Sequence, residues 1–85
     1  MRKLAGFRAL GTAVGTDTSI ALDEISIIGS ADTFRALGNF LLRASREIQL
    51  HDIEHMHLQD AIADFSQDNH VDIIVLNERR IKQKG

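Results

Sequence analysis

Glu24–Ile48 reads EISIIGSADTFRALGNFLLRASREI, and this stretch decides how the rest of the chain is organised. Glu24–Ile28 is rich in isoleucine, a β-branched residue that packs well on a pleated sheet. Gly29 and Ser30 break the run, and the Ser30 hydroxyl is suited to accept from an orphan N–H at a helix start. Asp32 falls in the first turn, where negative charge complements the helix dipole. Phe34, Leu37, Leu41, Ala44 and Ile48 then recur at three- and four-residue steps and share one face. Phe40 and Leu42 widen that stripe, while Arg35, Asn39, Arg43 and Arg46 fall opposite. The spacing predicts an amphipathic helix of four to five turns laid across a sheet. Gly38 lies inside it at a cost of about 1 kcal/mol relative to alanine. Either close helix–sheet packing or a partner's backbone docking there would account for it. The arginine row reads first as a solvated face and second as a basic binding stripe.

Upstream, Met1–Thr18 is punctuated by Gly6, Gly11 and Gly15 and shows no clear period. Its basic start and LAGF and ALG runs resemble a signal or transit peptide, but the apolar run is too broken for one. A flexible or loosely docked segment over residues 1–18 is expected. GTAVGTDTS lacks the Gly-Lys-Ser/Thr ending of a phosphate-binding loop. Ile20 and Leu22 have the opposite parity to Ile25 and Ile27. A turn at Asp23–Glu24 therefore resets the phase, or the strand begins near Glu24. Downstream, His51–Phe65 can be read as strand or helix; a strand over Ile53–Gln59, then a turn or short helix through Ala61–Phe65, is preferred. Val71–Asn77 (VDIIVLN) is a β-branched strand bounded by polar clusters. The order strand, helix, strand, strand predicts an α+β two-layer sandwich, with one main amphipathic helix on a small, mainly antiparallel sheet. The domain is expected to span residues 19–78, with a basic tail at 79–85. Three strands leave an exposed edge that a homodimer would complete.

Eighty-five residues suffice for one domain with a thin core. There is no cysteine, so neither a disulfide framework nor a thiolate metal site can form. Tyrosine and tryptophan are also absent, which removes two favoured interface and base-stacking residues. No apolar run approaches the length of a membrane span. The net charge of −2 is unevenly spread. Seven basic residues (Arg2, Lys3, Arg8, Arg79, Arg80, Lys82, Lys84) sit at the two ends without an acid, and the middle holds twelve acids against three arginines. Asp52–Glu78 contains seven acids and neither lysine nor arginine. This asymmetry disfavours nucleic-acid binding by the middle and suits a basic protein partner.

Two groups of side chains are site candidates. His55 and His57 project from one side of a strand, as two-histidine metal sites do, with a third ligand to come from Asp52, Asp60 or His70. Ordinary surface or half-buried histidines are the commoner outcome. The acids Asp52, Glu54, Asp60, Asp64, Asp68 and Asp72 make either a solvated acidic face or a docking surface. No serine stands in a nucleophile-elbow sequence, and no two carboxylates are singled out as an acid–base pair, so no catalytic residue is assigned.

EISIIGSADTFRALGNFLLRA, HMHLQD and the closing VDIIVLN strand, together covering about residues 24–78, resemble the immunity protein 32 family of bacterial polymorphic toxin systems. The resemblance implies a small cytoplasmic α+β protein that binds and neutralises a cognate toxin and has no enzymatic activity or cofactor of its own. It assigns no binding residue by position. The acidic stretch agrees with a basic toxin as partner, since an acidic surface can mimic a polyanionic substrate and speed association. Two other readings compete. One is a small dimeric structural or regulatory module; the other is a metal-binding domain on His55 and His57.

Overall fold

A computed structural model describes residues 3–81. Arg2, Lys82 and Lys84, three of the terminal basic residues, lie outside the described residues. The fold is α+β: strands β1 (Ala9–Gly11) and β2 (Ile20–Leu22), helix α1 (Ala31–His51), strand β3 (His55–His57), helix α2 (Leu58–Ala61) and strand β4 (Ile74–Leu76). The strands form two separate antiparallel hairpins, β1–β2 and β3–β4, rather than one shared sheet.

In the first hairpin Ala9 pairs with Leu22 and Gly11 with Ile20. Its loop turns at Gly15, whose φ of +83° favours glycine, and Thr16 donates from N–H and Oγ1 to the Ala13 carbonyl at 3.0 and 2.8 Å. β1 therefore lies within the segment expected to be loosely docked. Three residues of small and apolar type are too few to show a period, and the pairing that makes them a strand is not local.

The expected strand at Glu24–Ile28 does not form. The chain bends at Asp23, β2 ends at Leu22, and residues 24–30 are irregular. High β-propensity makes a strand only when a neighbouring backbone supplies the ladder. Here Ile25, Ile27 and Ile28 stay exposed, Ile28 at 97%.

α1 begins as its sequence dictates. The Ser30 side chain accepts from the Thr33 N–H at 3.1 Å, and the Ser30 carbonyl accepts from the Phe34 N–H at 3.0 Å. The helix ends at Asp52, in the left-handed region (φ +50°), whose N–H donates to the Ile48 carbonyl at 2.9 Å. Its inner face is rotated from the expected stripe. Phe40 and Ala44 are buried, with Leu37, Glu47 and Ile48 at the margin, whereas Phe34 and Leu41 are exposed. Gly38 is exposed too, and a Cβ there would meet nothing within 4 Å, so helix–sheet packing within the chain does not explain it.

In the second hairpin His55 pairs with Leu76, Met56 with Val75 and His57 with Ile74. The bonds Leu58 N–H to Ile73 O (2.8 Å) and Asn77 N–H to Glu54 O (2.9 Å) extend the ladder at both ends. α2 follows β3 without a break, earlier than expected: the strand expected over Ile53–Gln59 is only His55–His57, and the helix lies at Leu58–Ala61 rather than Ala61–Phe65. Among the described residues, the buried ones are Phe40, Ala44, Leu58 and the polar Asn77.

Asn77 uses all its polar groups. Its Nδ2 donates to Asp52 Oδ1 (3.0 Å) and the Ile53 carbonyl (2.9 Å); its Oδ1 accepts from the Arg79 N–H (3.1 Å) and its carbonyl from the Arg80 N–H (2.9 Å). The Arg80 guanidinium reaches Asp52 Oδ2 at 3.5 Å. One 3%-exposed amide thus joins the end of α1, the entry to β3 and the chain after β4. Asn77→Ala should lower stability by about 2–4 kcal/mol, since it strands a carbonyl and an amide N–H in a buried position. Asn77→Asp should cost at least as much by setting a second carboxylate against Asp52. Urea unfolding followed by circular dichroism measures both; a loss below about 1 kcal/mol for Asn77→Ala would make the residue peripheral.

Candidate interaction surface

β3 brings His55 and His57 to one side of the hairpin, as its alternation requires, while Met56 is half-buried and Leu58 buried. The two imidazoles meet edge to face with centroids 5.3 Å apart. His55 Nδ1 lies 3.4 Å from Glu54 Oε1, in an exposed pair. His57 Nδ1 lies 2.8 Å from Asp72 Oδ2, and Asp72 Oδ1 accepts from the Gln59 N–H at 2.9 Å. The hairpin register explains that pairing. His57 is level with Ile74, so Asp72, two residues back, falls beside the first turn of α2. Asp72 therefore fastens β3 and α2 together.

Arg43 of α1, His55, Met56, His57, Asp60 and Ala61 surround a shallow groove of about 200 Å³. A wider concavity of about 400 Å³ lies between the β1–β2 loop and the chain before β4. At its edge the turn after Phe65 is closed on itself: the Ser66 N–H donates to His70 Nδ1 at 2.9 Å, and the Phe65 and His70 rings are 5.5 Å apart.

The six candidate acids separate by role. Asp52 and Asp72 are half-buried and committed to internal hydrogen bonds, Asp52 with Asn77 and Arg80, and Asp72 with His57 and Gln59. Glu54, Asp60, Asp64 and Asp68 are exposed. Asp60 sits on α2, and Asp64 and Asp68 on the turns that follow, because the helix that would align them ends at Ala61. Among the described residues, no ion pair reaches Asp60, Asp64 or Asp68.

Among the described residues, no group of three or more histidine, aspartate or glutamate side chains is placed to hold a metal. Of the third ligands expected, Asp52 is held by Asn77 and His70 by the Ser66 turn, while Asp60 lines the same groove as His55 and His57. His57 Nδ1 is itself engaged by Asp72. Sequence reasoning overlooked Asn77 and the structural part of Asp72. A polar residue closing an apolar strand is the only local sign of Asn77, and its partners lie 24 and 25 positions away.

A search of protein-family models, curated proteins and solved structures finds no significant match to this chain.

Asp72→Ala should destabilise the domain by about 1–3 kcal/mol, because it frees a half-buried imidazole and a backbone N–H, while Asp64→Ala should stay within about 0.5 kcal/mol of the parent. Thermal and urea unfolding of the two variants side by side checks the assignment; equal losses would reject it. Equilibrium dialysis against zinc, nickel and manganese at neutral pH should show no tight site, and a stoichiometric micromolar site abolished by His55→Ala would overturn that expectation.

Proposed function

We propose that this chain is a non-enzymatic interaction protein of the immunity type, which binds a basic toxin domain in the cytoplasm and neutralises it. The observation that carries the reading is the exposed acidic run on α2 and the turns after it. Asp60, Asp64 and Asp68 project from one short connection, between β3 and β4, that contains neither lysine nor arginine. Of the other acids expected in the docking surface, Glu54 is also exposed, beside His55, whereas Asp52 and Asp72 belong to the scaffold that presents it.

Such a surface raises the encounter rate with a positively charged partner, and the effect weakens as salt screens it. It holds no geometry that would select one basic partner from another. In this reading, selectivity comes from the apolar and histidine-lined surfaces beside it, including the groove at Arg43 and His57. The resemblance to the immunity protein 32 family over residues 24–78 points the same way. Among the described residues, no helix is long and apolar enough to cross a membrane.

Affinity capture from lysate of the source cells at low and moderate salt tests the reading. A single stoichiometric basic protein whose toxicity the chain suppresses is the expected result. With that partner in hand, reversing Asp60, Asp64 and Asp68 to lysine should lower the association rate constant by about tenfold or more at low salt and flatten its salt dependence. An unchanged on-rate would sink the acidic docking surface. Recovery of the chain alone would favour the dimeric structural or regulatory module, a reading that the exposed apolar surface supports.

A further inference from the structure

The chain exposes 7918 Å² of surface. A folded monomer of its 9.5 kDa mass exposes about 5,000 Å². The difference is roughly 2,900 Å², whereas a stable interface of standard size needs about 800 Å² from each partner. Surface of this extent, much of it apolar, leaves more than enough area for a partner to cover.

α1 shows where. Its inner face is built on Phe40 and Ala44, but a second apolar face runs the full length of the helix about 110° away. It consists of Ala31, Phe34, Gly38, Leu41, Ser45 and Ile48, spaced alternately by three and four residues, the repeat of a two-helix seam. Phe34 is 45% and Leu41 53% exposed, and Ile48 is shared between the two faces. The residues alternate strictly in size. Ala31, Gly38 and Ser45 are small; Phe34, Leu41 and Ile48 are large.

That alternation identifies the occupant. Two copies of α1 packed parallel would bring like positions together, giving layers of small against small with voids between layers of large against large. Packed antiparallel about a two-fold axis level with Asn39 and Phe40, each small residue meets a large one: Ala31 the partner's Ile48, Phe34 the partner's Ser45, and Gly38 the partner's Leu41. Every layer then has similar volume, and the pattern is self-complementary, as an isologous interface requires. Gly38, whose missing Cβ faces open space in the single chain, becomes the notch for Leu41. Leu42, 66% exposed, lies on the flank of the seam, on the same side as the partner's Arg35.

We propose that the protein is a homodimer formed by antiparallel packing of this second face of α1 against its copy. The proposal is independent of the toxin-binding reading, because the acids at 60, 64 and 68 lie on other elements.

Sedimentation equilibrium of the full chain at micromolar concentration should give twice the 9.5 kDa chain mass. Gly38→Leu is the decisive variant. It improves helix propensity, and its Cβ meets nothing within 4 Å in the chain, so the monomer keeps its fold by circular dichroism, yet filling the notch should weaken self-association at least tenfold. Orientation is read from cysteines placed in this cysteine-free chain. Phe34→Cys mixed with Ser45→Cys should form a disulfide on mild oxidation, while neither variant alone should, since like positions are about 16 Å apart along an antiparallel pair. A monomeric wild-type chain at hundreds of micromolar, an unaltered dimer in Gly38→Leu, or cross-linking of Ser45→Cys with itself would each overturn the proposal.

Discussion

A single buried amide closes this fold. Asn77 is the one polar residue in the buried set among the described residues, and its hydrogen bonds tie together two stretches 25 residues apart: the C-cap of α1 with the entry to β3 at Asp52–Glu54, and the turn at Asn77–Arg80. An asparagine side chain carries two donor hydrogens and an acceptor oxygen, which suits it to joining a carboxylate, a carbonyl and an N–H at one point. Asp52 adopts the left-handed conformation that ends the helix, at an energetic cost for a residue with a Cβ. Its carboxylate bonds to Asn77 and Arg80 help to offset that cost. With three apolar side chains buried among the described residues, hydrophobic burial alone would hold the helix and the second hairpin together weakly.

What could be read from the sequence follows from how local each determinant is. The start of α1 was legible because Ser30, Thr33 and Asp32 act within one turn. β4 was legible because a β-branched run bounded by polar residues needs only a partner to become a strand; β3, His-Met-His, carries no such signal, and its stretch reads equally as strand or helix. The Glu24–Ile28 stretch is likewise β-branched and forms no strand, since among the described residues no other backbone pairs with it. β1 went unseen for the converse reason: Ala-Leu-Gly has little strand propensity, and its pairing to Ile20–Leu22 comes from the fold. At the site, the alternation of His55 and His57 was readable, but the commitment of Asp52 and Asp72 to internal partners was not. Charge counted along Asp52–Glu78 therefore overstates the acidity available to a partner.

The helical stripe repays closer reading. Phe34, Leu37, Leu41, Ala44 and Ile48 lie on one broad arc, and periodicity alone treats them as a single buried face. The structure divides that arc. Leu37, Phe40 and Ala44 turn inward, while Phe34 and Leu41 turn away, and Ile48 lies on the boundary. A stripe as wide as this exceeds what a small three-residue-strand hairpin can cover. Width of the apolar arc measured against the area of the sheet beneath it is thus a signal of association, legible in the helix only once the size of the sheet is known.

The same constraint relates the two surfaces. Acids that remain exposed act over distance, through a field that salt diminishes, and contribute more to encounter than to lasting affinity. The second face of α1 acts only on contact, through removal of apolar surface and the fit of small residues against large ones. Because Asn77 anchors only the C-terminal end of α1 to the β3–β4 hairpin, most of the helix length has no polar tether to the other described residues. Packing against a copy would immobilise that length and so stabilise the N-terminal turns, where Ser30 and Asp32 act without other support. It would leave the acidic connection between β3 and β4 facing solvent on each protomer. A dimer of this kind presents two copies of one acidic surface, and binding of a basic partner at either would not require the seam to open.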